Sequence, residues 1–133
     1  MAITFRPVQL EDYEQVRQLL IDTGWHSRVA DQARFRRMLE GANRTIVALE
    51  EMRVIGFARA LFDGASNGYI STVVVAGDKQ GSGIGREMVR LLMDVSDSDK
   101  ITWVLRAGRG SAPFWEKMGF KKSETAMEIV RKG

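Results

Sequence analysis

One segment near the middle of the chain, Gln80-Gly81-Ser82-Gly83-Ile84-Gly85-Arg86, combines the residue types and spacing needed to hold an anion. Glycine lets the backbone approach a bound group closely and adopt turns closed to other residues. An apolar run, Ile70-Ser71-Thr72-Val73-Val74-Val75, precedes the segment, and an amphipathic helical pattern over 87–95 follows it. A strand, a glycine-rich turn and a helix start aim free backbone N–H groups and the positive end of the helix dipole at one point, which suits a phosphate. The spacing narrows the choice. Gly81, Gly83 and Gly85 run G-x-G-x-G, which is neither the G-x-G-x-x-G of dinucleotide-binding folds nor a P-loop ending in Gly-Lys-Ser/Thr.

The elements that must position this turn follow from apolar spacing. Residues 3–8 alternate and predict a first strand. Over 10–23, Tyr13, Val16 and Leu20 recur at helical spacing with Leu19 beside them, and Gly24 stops the helix. Gly24-Trp25-His26-Ser27-Arg28 predicts a loop. Asp31 can cap a second helix that carries Phe35, Met38 and Leu39 on its apolar face and ends at Gly41. Strands over 45–49 and 54–62 form a hairpin turned by Glu50-Glu51-Met52-Arg53, and a strand over 68–76 leads into the glycine turn. The helix beyond it buries Ile84, Met88, Leu91, Leu92 and Val95. Asp97-Ser98-Asp99 breaks that helix before a fifth strand over 101–105. Ser111 caps a short helix with Pro113 in its first turn and Gly119 as its stop. Residues 120–130 predict a final pair of short strands.

Composition bounds the rest. At 133 residues, with no repeat, low-complexity stretch or linker, residues 1–133 read as one domain. Hydrophobic residues at 44% and charged residues at 28% fit an ordinary globular chain. No apolar run reaches the roughly 18 residues of a membrane helix, and the N-terminal residues read as a strand and not as a signal peptide. Cysteine is absent, which removes thiol chemistry, and the one histidine, His26, argues against a zinc site. A cytoplasmic location is the matching expectation. The net charge of +3 is too small to argue for nucleic acid. The Arg34, Arg36, Arg37 cluster lacks aromatic platforms and reads as a solvated helix face.

Gln-x-x-Gly-x-Gly after a valine-rich strand resembles the acyl-CoA pyrophosphate loop of the GNAT superfamily of N-acetyltransferases. A second segment, Phe114-Trp115-Glu116-Lys117-Met118-Gly119-Phe120, is similar to that superfamily's Phe-Tyr-Glu-Lys-Leu-Gly-Phe signature. Both occur in the expected order. The resemblance implies an α/β (α+β) fold: one strand, two helices, three strands, a helix, a strand, a helix and one or two closing strands. Its sheet is mixed and mostly antiparallel, with helices on both faces.

The resemblance also implies the chemistry, transfer of an acetyl group from acetyl-CoA to an amine, with no metal. Gln80, Gly81, Ser82, Gly83, Ile84, Gly85 and Arg86 would hold the pyrophosphate. Backbone groups of the Val73-Val74-Val75 run, chiefly Val73 and Val75, would pair with the pantetheine arm. Phe114 and Lys117 would line the same site. An N–H of the fourth strand at Val73 or a neighbour would polarise the thioester carbonyl. Two departures concern proton handling. Thr72 stands where many members carry an acid, and Trp115 stands at the position of the tyrosine that protonates the leaving thiolate. His26 is a candidate base, with Glu50, Glu51 and Asp63 as alternatives. Ser111 could hold a water near the thiolate or simply cap its helix. Trp25, Phe62 and Asp63 are candidates for the acceptor side, and Trp25 could equally anchor a helix end. The expected acceptor is the primary amine of a small molecule. A protein lysine or N-terminus, or a donor-binding module without turnover, are the alternatives. A homodimer is expected from exposed sheet edges.

Overall fold

The computed structural model describes residues 2–108 and 110–132. In chain order the elements are β1 (Ile3–Arg6), α1 (Tyr13–Asp22), α2 (His26–Val29), α3 (Gln32–Gly41), β2 (Arg44–Glu50), β3 (Arg53–Phe62), β4 (Asn67–Val75), α4 (Ile84–Leu92), β5 (Thr102–Leu105) and α5 (Ala112–Lys117). The five strands form one sheet in sequence order, antiparallel from β1 to β4 and parallel between β4 and β5.

Helices cover both faces, so the central strands lose the alternation of a half-wet sheet. Residues 46–49 of β2 and 54–58 of β3 are all buried. Gly56 shows why one helix lies so close. A Cβ added there would stand 3.0 Å from the Met88 sulfur and 3.2 Å from the Ala48 Cβ, so the missing side chain is the space that α4 occupies. On the opposite face α1 packs Val16, Leu19 and Leu20 into the core. Arg44 at the start of β2 fixes the far end of α4, donating to the Leu91 carbonyl at 2.7 Å and the Leu92 carbonyl at 3.1 Å. The Leu92 carbonyl is among the acceptors that a helix C-terminus leaves without an intrahelical partner, and the Leu91 carbonyl also takes the Asp94 N–H at 3.3 Å.

Most predicted elements stand within a residue or two of their expected bounds, and Asp31 caps α3 by accepting the Arg34 N–H at 3.1 Å. Two expectations need correction. The loop after Gly24 contains a short helix, α2, whose last carbonyl, Val29, and that of the following Ala30 accept from Arg17 at 2.8 and 3.3 Å. The closing strands expected over 120–130 are not formed. The Ser123 hydroxyl takes the Thr125 and Ala126 N–H groups at 3.0 and 2.8 Å, which turns the chain locally. Beyond that turn Met127 and Ile129 are exposed, so the apolar residues there have no buried face to favour pairing.

Candidate active site

The site begins where β4 parts from β5. Their pairing ends at Ile70 and Leu105, yet β4 runs on to Val75. At the same point β4 bulges, because Arg59 pairs with Thr72 while Ala60 pairs with Ile70, leaving Ser71 as the extra residue. The Ala76 N–H donates to the Ile55 carbonyl at 2.8 Å. Antiparallel ladders alternate their bonding sides, so Val73 and Val75 direct their N–H and C=O groups away from β3 and into the gap. The Gln80 side chain confirms that orientation by donating to the Val75 carbonyl at 3.1 Å.

The glycine turn closes one end of the gap. Gly81 and Gly83 have φ of +81° and +87°, a region that costs other L-residues roughly 1–2 kcal/mol. Gly83 is the N-cap of α4, whose first internal bond runs from the Glu87 N–H to the Gly83 carbonyl at 3.1 Å. The N–H groups over 81–86 therefore have no protein acceptor among the described residues, and the dipole of α4 adds its positive end there. The Ser82 hydroxyl donates backward to the Lys79 carbonyl at 2.6 Å, which tightens the turn.

Beside the turn, α5 supplies the second wall. Phe114 lies against Gly85 and Val75: a Cβ on Gly85 would be 3.5 Å from the Phe114 ring and 3.7 Å from a Val75 methyl. Trp115 is buried, edge-on to both Phe114 and Phe120 at 4.9 and 5.4 Å between ring centroids. The Ser111 hydroxyl donates to the Gly108 carbonyl at 2.8 Å and makes no bond to the helix it precedes. The resulting cleft has a volume of about 1180 Å³. Its charged lining is Arg28, Arg86, Arg106 and Lys117, with no carboxylate among the described residues. That sign suits a polyanion.

A second cavity of about 800 Å³ opens from the first, sharing Trp25, Arg28, Ser71, Thr72 and Arg106 with it. Arg59 lies in this cavity, half-buried on β3. It donates from Nη1 to the Ser71 hydroxyl at 2.6 Å and from Nε to the Met38 carbonyl at 3.3 Å. Burial pulls its pKa below the ordinary arginine value.

The predicted site residues divide cleanly. Val73, Val75, Gln80, Gly81, Gly83, Ile84, Gly85, Arg86, Ser111, Phe114, Trp115 and Lys117 all line the first cleft, and Trp25 lines both cavities. Val74 points into the core and does not line the cleft. Ser82 lies outside the lining as well. His26 opens α2 with an exposed side chain and lines neither cavity. Phe62 stacks on Trp103 at 5.4 Å, away from both. Asp63 closes the turn after β3, accepting from the Ala65, Ser66 and Asn67 N–H groups and the Ser66 hydroxyl at 2.6–3.0 Å. Those bonds, led by the Ser66 hydroxyl, hold its carboxyl well below the usual range. Glu50 pairs with Lys79 at 2.8 Å, and Glu51 sits in the hairpin turn at φ +57°. Arg28, Ser71 and Arg106 were not singled out from sequence. Arg59 had a legible signal: it is the one charged residue inside the apolar run 54–62.

With this geometry in place, known proteins can be compared. The family model described as an acetyltransferase (GNAT) domain matches residues 7–133. The chain belongs to the GNAT acetyltransferases. An uncharacterised N-acetyltransferase of Pyropia yezoensis, ycf52, is 27% identical over 113 residues, which cover 81% of this chain and 64% of that relative's length. A crystal structure of an acetyltransferase from Trypanosoma brucei has a TM-score of 0.74 at 25% identity, covering 98% of this chain and all of that one. A Staphylococcus aureus protein of unknown function has the same fold, with a TM-score of 0.81 at 20% identity over 99% of this chain and all of that one. The glycine turn and the splayed β4 both lie within the residues that the family model matches. Among the described residues no helix is long and apolar enough to cross a membrane.

Proposed function

We propose that this chain transfers an acetyl group from acetyl-CoA to the primary amine of a small molecule by direct attack on the thioester. The supporting observation is the continuity of one cleft, from the N–H groups of the glycine turn to the edge backbone of Val73 and Val75, whose Val75 carbonyl takes the Gln80 side chain. The turn and Arg86 would receive the pyrophosphate, and Lys117 would add charge beside it. Val75 and Val73 would pair with the amide-bearing arm as a strand edge does. Bound there, acetyl-CoA supplies an acyl carbon activated as a thioester.

The Val73 N–H, turned into the cleft, would polarise the thioester oxygen; one such donor is typically worth about 3 kcal/mol of barrier. The amine lone pair forms the new C–N bond, the C–S bond breaks, and sulfur leaves with the electron pair. The cleft offers no carboxylate or imidazole among its described lining residues, so the amine enters as the free base and its second proton passes to water. The Ser111 proton is committed to Gly108 and the indole of Trp115 is no acid at neutral pH. The thiolate, with a pKa near 8.5, therefore departs without a side-chain acid.

Calorimetric titration with acetyl-CoA and with CoA, followed by a thiol-release assay with an amine panel, tests this reading. Micromolar binding with thiol release supports it. Absence of heat up to millimolar acetyl-CoA overturns it. Tight binding without release for any amine favours the second reading, a donor-binding module, to which the buried Trp115 and committed Ser111 already point.

A further inference from the structure

Arg59 is the group whose chemistry the donor cleft leaves unused. Its guanidinium carries five N–H donors, and two of them have partners, the Ser71 hydroxyl and the Met38 carbonyl. No carboxylate pairs with it among the described residues. The cavity it lines is also lined by Arg28, Arg106 and Arg131. The one carboxylate of that lining, Glu128, is already held by Arg106 at 2.8 Å. A half-buried cation with free donors, in a cavity lined by more arginines than carboxylates, is an unfavourable arrangement on its own. It is a favourable one for a planar anion, which a guanidinium binds through paired hydrogen bonds.

Position decides what the anion belongs to. Arg59 pairs with Thr72 across the ladder, and Val73, the next residue of β4, turns its N–H into the donor cleft. The Ser71 hydroxyl accepts from Arg59 and keeps its own proton free to donate. Because both cavities share the bulge at Ser71 and Thr72, a molecule held at Arg59 presents its other end to the thioester.

We infer that the acceptor is an amine that also carries an anionic group, a carboxylate or a phosphate, and that Arg59 with Ser71 receives that group. This rests on the acetyl-transfer reading above and adds a substrate class to it.

The test pairs acceptors with and without the anion and compares kcat/KM per free-base amine, since the anion also shifts the amine pKa. The standard amino acids are assayed beside their carboxamides, and phosphoethanolamine beside ethanolamine, by thiol release from acetyl-CoA. The expected result is a preference of at least tenfold in kcat/KM for the charged member of at least one pair; whether the amino-acid or the phosphate pair shows it identifies the anion. Arg59→Met should abolish the preference, lowering kcat/KM for the charged member at least tenfold more than for the neutral one, with acetyl-CoA affinity unchanged. Arg59→Lys, which keeps the charge and loses the fork, should raise KM for the charged acceptor about tenfold with kcat little altered. A purely structural arginine would shift the melting temperature and move both members of a pair alike. If Arg59→Met fails to fold, Arg59→Lys and the wild-type preference carry the decision. Equal turnover of charged and neutral members, no turnover of any charged member, or a preference that survives in the folded variants overturns the inference while acetyl-CoA still binds. Failure to bind acetyl-CoA overturns the donor reading first and this one with it.

Discussion

The ring of Phe114 lies 3.5 Å from where a Cβ of Gly85 would stand, so the two sequence motifs of this GNAT chain meet in space. The glycine turn sets the height of the cleft and the aromatic residue of α5 sets its width. Gly85 leaves ordinary van der Waals room there, whereas Gly83 serves through its backbone alone, since nothing lies within 4 Å of its missing Cβ.

The two glycines should therefore respond in opposite ways. Gly83→Val forces a β-branched residue to a φ of +87° and should cost roughly 1–2 kcal/mol of stability. It should also weaken acetyl-CoA binding by at least about tenfold, the size of one charge-assisted hydrogen bond. Gly85→Ala sits at a helical φ with free room and should leave stability unchanged or raise it by about 0.5–1 kcal/mol. Urea denaturation and calorimetry on both variants check this. A folded Gly83→Val protein with wild-type donor affinity would remove the turn from the site.

The pH–rate profile should report the substrate and not the enzyme. With no imidazole or carboxylate among the described residues that line the donor cleft, kcat/KM should climb about tenfold per pH unit from 7 to 9 as an alkylamine of pKa near 10 loses its proton. His26→Ala should leave that slope unchanged, because His26 is exposed outside both cavities. A plateau above pH 7 that His26→Ala abolishes would restore His26 as the base.

Arg44→Met should loosen the end of α4 without touching its start. The lost bonds run to the Leu91 and Leu92 carbonyls, and the expected cost is about 1 kcal/mol. Hydrogen exchange should rise at the last turn of α4 while acetyl-CoA affinity holds. Equal loss of protection at Glu87 would mean that the helix opens as one unit.

What the sequence made legible is local. The glycine turn and the Asp31 cap depend on neighbours within a few residues, whereas the role expected of Val73 and Val75 comes from the family resemblance. Arg59 is different, since its role depends on a register in which Ser71 is extra, and no spacing along the chain shows a bulge. The four residues of α2 are too few for helical periodicity to declare itself. An apolar stretch such as 126–130 reads the same whether or not a neighbouring strand accepts it, so the closing strands over 120–130 were over-predicted. Asp63 looked like an available acid until its oxygens proved to be occupied by the turn that follows it.

Gly68→Ala should destabilise the junction of β4 and β5. A Cβ there would collide with the Trp103 ring, which is held in place by stacking on Phe62. Overpacking of this kind costs about 1–3 kcal/mol. In the double variant Gly68→Ala with Trp103→Leu the penalties should not add, because the smaller side chain vacates the contested space. Additive losses would show that the glycine is needed for its backbone and not for the ring above it.

Acid stability should depend on Asp12. Its carboxylate is buried, receives Arg6 Nη1 at 2.6 Å and Nη2 at 3.0 Å, and takes the Gln9 N–H at 2.8 Å. Burial alone would raise its pKa, but the bonds from Arg6 and Gln9 and the charge of Arg6 outweigh that and hold it below the ordinary value. A depressed folded pKa means that the contribution is fully present above the unfolded value of about 3.9 and disappears as pH falls through the lower folded one. Asp12→Asn should thus lower the melting temperature at pH 7 and flatten its fall below about pH 4. Parallel melting curves for wild type and Asp12→Asn across that range would show that other carboxylates govern acid unfolding and that the Arg6 pair contributes only geometry.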